Sequence, residues 1–369
     1  MKVLHVISDE NIGGAGVLLC NLLRHFDKDE VQSLVALPME SDLEERVRSL
    51  GVHTVALSHA CDRLSAASVW EISRLIRLWH ADLVHANAAV CARLAARNCH
   101  VPSVHTRHCC FGAPPTSPPI RYTRGAINAF LCDRAIATAD SAAEDLCALG
   151  IPSARIRVVI NGSDPVREVG ETELRAFCKR YAIPKDAYVI GICARLEACK
   201  GQDTFLRAAQ ILLEQHPTTR FCFLLVGSGT KETALRALAE SLGIAESVRF
   251  TGFVADMAPV YRLLRINVNC SRGTETSCLA LSEGMSAGVP MVVSDYGGNP
   301  AMLRDSLAGF LFPTDDAQTL AALLGRIVSN PTLEKQMRCA ARERYERYYT
   351  AERMTRQVTG VYRELVGKK

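Results

Sequence analysis

The chain has 369 residues, of which 48% are hydrophobic and 22% charged, and its formal net charge is +4. This ordinary globular balance excludes wholesale disorder, and the length favours two domains because a single core rarely grows beyond about 250–300 residues. The small net charge argues against a nucleic-acid partner, and no apolar run reaches the roughly 18 residues of a membrane span.

The chain begins with the apolar run Val3–Ser8, which is followed at once by Asp9 and Glu10. A secretory signal would need a longer apolar core, so the run is interpreted as a first strand and the expected compartment is the cytoplasm. The 15 cysteines include no Cys-x-x-Cys pair. They are interpreted as small buried hydrophobic residues in a reducing compartment, without a metal site.

Short β-rich runs alternate with stretches of helical period through the first 160 residues. This alternation indicates a parallel sheet with helices on both faces. The predicted strands are Val3–Ser8, Val31–Leu37, His53–Leu57, Asp82–His85, Ser103–Arg107, Ala135–Thr138 and Ile156–Ile160, and the predicted helices are Val17–Phe26, Asp42–Leu50, Ala67–His80 and Ala88–Asn98.

The alternation then begins again, which predicts an α/β fold of two Rossmann-like parallel-sheet domains facing across a cleft. The turn-forming residues Asn161–Pro165 mark the boundary, giving domains 1–165 and 166–350, and a last helix, 351–369, is expected to cross back to the first domain. The second set comprises strands Tyr188–Cys193, Phe221–Val226, Val248–Phe250, Asn267–Asn269 and Met291–Val293, with helices near 201–215, 230–242, 278–287 and 316–328.

Two segments of the first domain have unusual composition. Residues 110–119 contain four prolines, which predicts an irregular loop that forms a wall of a binding cleft. Residues 62–134 contain nine arginines, no lysine and only four acidic residues. This basic segment is either a solvated face or a surface for anionic lipid headgroups or a phosphate-bearing acceptor.

A glycine cluster, Gly13, Gly14 and Gly16, follows the first strand and precedes a helix. Glycines at this place allow the backbone to approach a phosphate near a helix N-terminus, although a tight structural turn would also explain them. The spacing is not Gly-x-Gly-x-x-Gly, and the second strand lacks the acidic residue of a nicotinamide dinucleotide site. A dinucleotide oxidoreductase is therefore excluded.

The segment Ser271–Pro290 carries two carboxylates eight residues apart, Glu275 and Glu283. With an N-cap predicted at Ser277, Glu275 lies on a loop and Glu283 within the following helix, while the amides near Cys278 and Leu279 form an anion site. Such a site suits a ligand with hydroxyl groups on both sides of a phosphate. The alternative is two unrelated surface glutamates.

Two cations follow a predicted strand in Ala194–Gly201, namely Arg195 and Lys200. They are expected at the carboxyl edge of the second sheet, where open α/β sheets bind ligands. Near a helix N-terminus the pair forms a diphosphate clamp. Glycine turns at Gly227 and Gly297 are predicted at the same edge.

Taken in order, these motifs resemble the retaining glycosyltransferases of family 4, which have the GT-B fold. The resemblance covers nearly the whole chain. It runs through the Gly13–Gly14 loop, His105–His108, Asn161–Asp164, Arg195 with Lys200 and Gly201, Val226–Gly229, Thr251–Phe253, the two glutamates and Ala287–Pro290.

The resemblance implies a nucleotide-diphosphate-sugar donor, with a UDP-sugar as the family expectation, and neither a metal nor another cofactor. Arg195 and Lys200 would neutralise the leaving diphosphate, Glu283 would bind the ribose, and Glu275 would contact the transferred sugar. Gly227, Phe253, Cys278 and Leu279 would complete the nucleotide site. In the first domain, Gly13, Gly14 and His108, rather than His105, would contact the donor.

The resemblance also implies a glycan or lipid-linked acceptor used in cell-envelope polysaccharide synthesis, such as lipopolysaccharide, at the cytoplasmic face of an anionic membrane. Two positions depart from the family pattern: Ala194 stands where Gly is common, and Ala301 where Glu often follows the glycine turn. Two alternatives remain. One is a nucleotide-sugar epimerase of the same architecture, and the other is a non-catalytic nucleotide-sugar binder.

Overall fold

The computed structural model describes residues 1–8, 13–59, 65–87, 89–109, 118–304 and 306–367, without the side chains of residues 118 and 121. The chain divides into two compact units. Unit 1 comprises Met1–Ser163 and Ala351–Lys369, and unit 2 comprises Asp164–Thr350. The division after Ser163 lies two residues before the boundary expected from the sequence.

Unit 1 is built on a seven-stranded parallel sheet of order β3-β2-β1-β4-β5-β6-β7. Its strands are β1 (Lys2–Ile7), β2 (Gln32–Pro38), β3 (His53–Leu57), β4 (Leu83–Asn87), β5 (Ser103–Arg107), β6 (Arg134–Ala137) and β7 (Ile156–Val158). The helices between them are α1 (Gly14–His25), α2 (Leu43–Ser49), α3 (Ala66–Trp79), α4 (Val90–Asn98), α5 (Pro118–Phe130) and α6 (Asp140–Ala148).

Unit 2 is built on a six-stranded parallel sheet of order β10-β9-β8-β11-β12-β13. The strands are β8 (Tyr188–Cys193), β9 (Phe221–Val226), β10 (Val248–Gly252), β11 (Ile266–Asn269), β12 (Met291–Ser294) and β13 (Gly309–Phe312). The helices are α7 (Glu171–Arg180), α8 (Gln202–Gln215), α9 (Glu232–Ser241), α10 (Ala258–Leu263), α11 (Leu279–Ser286), α12 (Asn299–Leu303), α13 (Ala317–Val328) and α14 (Pro331–Tyr348).

The two parallel sheets confirm the predicted architecture of two Rossmann-like domains. The apolar strands form their cores: β9, for example, is buried along its whole length because helices cover both faces of the sheet. The predicted elements do not include β13 or the short helices α10 and α12, since elements of four to six residues are too short to show a clear period. They also do not include the longer helices α5, α6 and α7.

The last helix, α15 (Ala351–Val366), packs against α1 and β4 of unit 1. Its Tyr362 is fully buried, and the Tyr362 hydroxyl lies 2.6 Å from His85 Nδ1. Glu364 accepts a hydrogen bond from Arg134 Nε at 2.9 Å and another from Arg157 Nε at 3.0 Å. These contacts fix the C-terminal helix to the sheet of unit 1.

Helix α5 corrects the expectation that residues 110–119 are irregular throughout. Residues 110–117 lie outside the described part of the chain, but Pro118 and Pro119 form the first turn of α5. Proline is tolerated there because the first N–H groups of a helix have no partner within the helix.

Three arginines cap the other end of α5. Arg93 Nε donates to the carbonyl of Leu131 at 3.1 Å, Arg97 Nε donates to that of Phe130 at 3.1 Å, and Arg155 Nη1 donates to that of Cys132 at 3.0 Å. Cations at a helix C-terminus satisfy its unpaired carbonyls and its negative dipole end. Part of the arginine excess in residues 62–134 therefore has a structural role.

None of the 13 cysteines in the described residues forms a disulfide. Within the same residues, no helix is both long and apolar enough to cross a membrane.

Four histidines of unit 1 are held neutral by burial. Burial lowers the pKa of His5 and of His105 to about 3 and that of His108 to about 4, and burial together with neighbouring histidines lowers the pKa of His85 well below its usual value. Between pH 6.5 and about 4 the unfolded chain therefore binds protons at these positions that the folded chain does not bind.

We predict that the free energy of unfolding decreases as the pH falls from 6.5 to about 4, by up to about 1.4 kcal/mol per pH unit for each of these histidines. Urea unfolding at a series of pH values measures this slope. The slope should become shallower in His5→Asn and stay unchanged in a control substitution of the exposed His53. Equal slopes in both variants would contradict the prediction.

Candidate functional site

The site in unit 2 lies at the point where the strand order of the sheet reverses. The chain runs outward from β8 to β9 and β10 and then returns to β11 on the other side of β8. The loops that follow β8 and β11 therefore separate at the carboxyl edge, which is where open α/β sheets bind ligands. The first loop carries Arg195 and Lys200, and the second carries Glu275.

The loop after β8 is shaped by close backbone contacts with the loop after β9. The Ala194 amide donates to the Val226 carbonyl at 3.0 Å, and the Leu196 amide donates to the Ser228 carbonyl at 2.9 Å. Gly227 has a φ of +133°, and a Cβ atom there would lie 2.2 Å from the Ala194 carbonyl oxygen. The glycine predicted at this edge is thus required by the approach of the two loops.

Lys200 ends a single 3₁₀ turn, Ala198–Lys200, just before α8 begins. The next residue, Gly201, is left-handed (φ +66°), and a Cβ atom at this position would lie 2.1 Å from the Cys270 carbonyl oxygen. The backbone that carries Lys200 is therefore pressed directly against the end of β11.

Lys200 and Glu275 form an ion pair between the two loops. Lys200 Nζ lies 2.8 Å from Glu275 Oε2, and the side chains are only 15% and 7% exposed. The same carboxylate oxygen accepts from Ser271 Oγ at 2.7 Å and from Asn269 Nδ2 at 3.4 Å. Two residues predicted to contact different parts of a ligand are thus in contact with each other.

Opposing effects set the pKa of each member of this pair. Burial raises the pKa of the Glu275 carboxyl, but the charge of Lys200 and the hydrogen bonds from Lys200, Ser271 and Asn269 outweigh it, so the net shift is downward. Burial lowers the pKa of Lys200, and the charge of Glu275 reverses that effect. Both groups are therefore charged at neutral pH.

A buried polar network supports Glu275 from behind. Asn299 Nδ2 donates to Asn269 Oδ1 at 3.3 Å and to Ser294 Oγ at 3.2 Å, and Ser294 Oγ donates to the Ser271 carbonyl at 2.7 Å. All of these side chains are buried. The network joins the carboxyl ends of β11 and β12 to the first turn of α12.

Helix α11 begins at Leu279, with Cys278 as its N-cap, so the prediction of an N-cap at Ser277 is wrong by one residue. Burial is the main cause that raises the pKa of the Cys278 thiol to about 12, which keeps the thiol neutral. The positive end of the helix dipole lies in this first turn, between the loop that carries Glu275 and the helical residue Glu283.

Glu283 lies in the second turn of α11 and is held by Tyr261 of α10. The Tyr261 hydroxyl lies 3.0 Å from Glu283 Oε2 and 3.1 Å from the Ala280 carbonyl oxygen. Tyr261 is buried, and burial with the nearby Glu283 charge raises the pKa of its phenol. The phenol therefore remains protonated and acts as a donor to the carboxylate.

The other residues predicted in unit 2 lie at the same edge. Arg195 has an exposed side chain, and its carbonyl accepts a hydrogen bond from Gln202 Nε2 at 2.8 Å. Phe253 follows β10, and its ring is 66% exposed. Both side chains are open to solvent rather than packed into the core.

In unit 1, Gly13 and Gly14 follow β1 and begin α1, and His108 follows β5. A Cβ atom at Gly14 would meet no other atom within 4 Å, so packing in the described part of the chain does not require glycine there. His108 Nε2 lies 3.2 Å from Asn87 Oδ1 at the end of β4. This amide oxygen accepts a hydrogen bond in the tautomer whose proton is on Nε2.

The site residues predicted from the sequence do not include Tyr261, Asn269, Asn299 and Asn87. Asn87 and Asn269 end β4 and β11, and a polar amide at the carboxyl end of a buried strand is a signal that could have been used. Tyr261 and Asn299 lie on the short helices α10 and α12, so no sequence signal placed Tyr261 against Glu283 or Asn299 against Asn269.

Comparison with known proteins gives a match over both halves of the chain. Residues 12–167 match Glycosyltransferase Family 4, and residues 175–344 match Glycosyl transferases group 1. A D-inositol 3-phosphate glycosyltransferase of Streptomyces griseus is 32% identical over 213 residues, which are 55% of this chain and 45% of the relative. The enzyme of the same name from Thermobifida fusca is 30% identical over 281 residues, 70% of this chain and 64% of the relative.

The chain thus spans about half to two thirds of the length of these curated relatives. Among solved structures, Anabaena HepE in complex with UDP and glucose superimposes with a TM-score of 0.84 at 18% identity, covering 99% of this chain and 100% of HepE. The two parallel-sheet domains therefore have the GT-B glycosyltransferase fold. The chain belongs to the family 4 glycosyltransferases.

We predict that Lys200→Met destabilises the protein by about 3–5 kcal/mol, because it leaves the buried carboxylate of Glu275 without its cation. Urea unfolding measures the change. The double variant Lys200→Met/Glu275→Gln should recover most of the loss, since neither remaining side chain is charged. An equal loss in the single and the double variant would contradict the ion-pair explanation.

Proposed function

We propose that the protein transfers a sugar from a nucleotide-diphosphate-sugar, with a UDP-sugar as the donor, to a glycan or lipid-linked acceptor. One observation carries the proposal: Lys200, Glu275 and Glu283 gather around the first turn of α11 at the switch point of the second sheet. Family membership supports transfer as the reaction, and the complex of HepE with UDP and glucose supports uridine as the base.

The chemistry of the donor assigns the roles. Arg195 and Lys200 bind the diphosphate, the amides of Cys278 and Leu279 add the dipole of α11, and Glu283 accepts hydrogen bonds from the ribose hydroxyls. Glu275 accepts from hydroxyls of the transferred sugar while it stays paired with Lys200. Gly227 and Phe253 border the nucleotide, and Gly13, Gly14 and His108 are the proposed donor-binding residues of unit 1.

The proposed mechanism follows from where charge develops. As the bond from the anomeric carbon to the phosphate oxygen breaks, positive charge grows on the sugar and negative charge on the diphosphate. Arg195, Lys200 and the first turn of α11 stabilise the diphosphate. The acceptor oxygen bonds to the anomeric carbon on the face that the phosphate leaves, and its proton passes to that phosphate, so the configuration is retained. Cationic side chains take the place of a metal.

The acceptor is proposed to be part of cell-envelope polysaccharide synthesis, with the enzyme in the cytoplasm and in peripheral contact with the inner face of an anionic membrane. The arginine content of residues 62–134 supports an acidic surface or acceptor near unit 1. Incubation of radiolabelled UDP-sugars with membrane extracts and with soluble glycans tests which acceptor is used.

We predict that UDP, but not NAD, raises the unfolding temperature. A ligand at about 100 times its dissociation constant stabilises by roughly 2.7 kcal/mol, which corresponds to several degrees for a chain of this size. Thermal unfolding with UDP, GDP, ADP, CMP and NAD measures the shift, and Glu283→Ala should abolish it. A response to NAD alone, or to no nucleotide, would refute the donor site.

The same preparations test the reaction itself. Formation of a product whose new linkage keeps the anomeric configuration of the donor, in the presence of EDTA, supports metal-independent retention. Release of an isomerised nucleotide-sugar without an acceptor would favour an epimerase, and donor binding without any turnover would favour a non-catalytic binder.

We predict that Tyr261→Phe weakens UDP binding three- to tenfold, because Glu283 loses the hydroxyl that orients it and one such hydrogen bond contributes about 1 kcal/mol. Titration calorimetry measures the affinity. Binding of 2′,3′-dideoxyuridine diphosphate, which offers Glu283 no hydroxyl, should not change.

The matched control is Tyr188→Phe, which removes another tyrosine hydroxyl, one that donates to Glu334 at 2.9 Å. Tyr188 lies at the start of β8, at the opposite edge of the sheet from the site. If both variants weaken UDP binding equally, Tyr261 has no specific role in orienting Glu283.

A further inference from the structure

Helices α3, α4 and α5 lie side by side on one face of the first sheet. The connections β3 to β4, β4 to β5 and β5 to β6 all run in the same direction across the sheet. Since parallel crossovers are right-handed, the three helices cover the same face. Direct contacts agree with this: α3 packs on α4, and Arg93 and Arg97 of α4 bond to the C-terminal end of α5.

This helical face is unusually apolar for a surface. Of the 13 large hydrophobic side chains that are exposed among the described residues, seven lie on these three helices, which together contain 36 residues. Clustered exposed apolar groups of this kind mark an interaction surface. The seven exposed hydrophobic side chains on these helices are Trp70, Leu78, Val90, Ile120, Tyr122, Ile127 and Phe130.

Helix α5 shows the pattern most clearly. At about 100° per residue, its exposed residues occupy one side of the helix: Pro119, Ile120, Tyr122, Thr123, Ala126, Ile127 and Phe130. No charged side chain belongs to this described set, and Tyr122 is 80% exposed. The three arginine caps hold the far end of the helix against the unit, so the apolar side stays turned outward.

The exposed charges of this face are positive. The three helices contain six arginines and one acidic residue, Glu71, but Arg93 is buried and Arg97 caps α5, so among the described side chains the exposed arginines are Arg74 and Arg77 of α3. Glu71 is engaged at the edge of the face, where its carboxylate accepts from the Ser58 amide at 3.0 Å. On α3, Arg74 lies over the Trp70 ring at 5.9 Å, and Arg77 lines a groove between α3 and α4 with Trp70, Leu94 and Asn98.

We infer that the face formed by α3, α4 and α5 docks on an anionic lipid surface, with Trp70, Ile120, Tyr122, Ile127 and Phe130 inserting at the level of the headgroups. Aromatic and aliphatic side chains beside arginine suit this interface. Arginine attracts acidic headgroups, and the apolar side chains add hydrophobic burial at the membrane interface.

Two other occupants fit the face less well. In a twofold dimer the face would meet itself and bring like charges together, which disfavours association. A glycan would need convergent donors and acceptors, whereas the exposed side of α5 offers only the hydroxyls of Tyr122 and Thr123 among its described side chains.

The biological role of this docking rests on the proposed function, since docking would bring a lipid-linked acceptor to the enzyme. Binding to vesicles, however, can be measured without any sugar transfer.

The chain contains two tryptophans, Trp70 and Trp79. In Trp79→Phe the exposed Trp70 is the sole reporter. Its emission should shift to the blue with vesicles of phosphatidylglycerol and phosphatidylcholine and be quenched by brominated lipid.

Sedimentation with these vesicles should show binding that falls about tenfold in Ile120→Ser/Ile127→Ser and in Trp70→Ser, and that weakens in Arg74→Glu/Arg77→Glu. The matched control is Leu307→Ser, an exposed leucine of unit 2, which should bind as the unchanged protein does. All variants should keep the thermal shift with UDP, which shows that they are folded and that the donor site is separate.

Four results would overturn the inference: no binding to anionic vesicles, binding that the face variants leave unchanged, a Trp70 response to soluble polysaccharide without lipid, or a dimer that the same variants dissociate. Vesicle binding without a UDP shift in any variant would refute the donor site and leave the docking surface standing.

Discussion

The ion pair of Lys200 and Glu275 is the constraint on which the second unit depends. Each charge alone would be costly to bury, and together they join the loops after β8 and β11 at the point where the sheet divides. The close approach of Gly201 to Cys270 and the amide network behind Glu275 support the positions of these two loops. Glu283 is oriented separately by Tyr261.

In unit 1 a pair of polar side chains also meets at the carboxyl edge of the sheet, but here both groups are neutral. Its strand order reverses between β1 and β4, and the carboxyl ends of β4 and β5 place Asn87 against His108. Burial lowers the pKa of His108 to about 4 and keeps its imidazole uncharged at neutral pH. The C-terminal helix α15 is also tied to this sheet, because the Tyr362 hydroxyl is hydrogen-bonded to His85 of β4.

Some arginines of unit 1 have structural roles and others lie at its surface, and the number of arginines alone does not distinguish the two groups. Arg93, Arg97 and Arg155 satisfy carbonyls at the end of α5, whereas Arg74 and Arg77 lie at the surface beside Trp70. The structural arginines fix the helix, and the fixed helix exposes an apolar side. A surface that seemed simply basic from its composition is therefore apolar with a basic border.

The sequence by itself determined the two parallel α/β units, because hydrophobic period and turn residues are local properties; strand β8 was predicted with its observed limits. It also selected Arg195, Lys200 and Glu275, since charged residues in the loops after buried strands lie at the carboxyl edge of the sheet, and it selected Glu283 from its spacing to Glu275. The tertiary structure decided their partners. The contact of Lys200 with Glu275 and the orientation of Glu283 by Tyr261 depend on pairs of residues up to 75 positions apart, which no local pattern encodes.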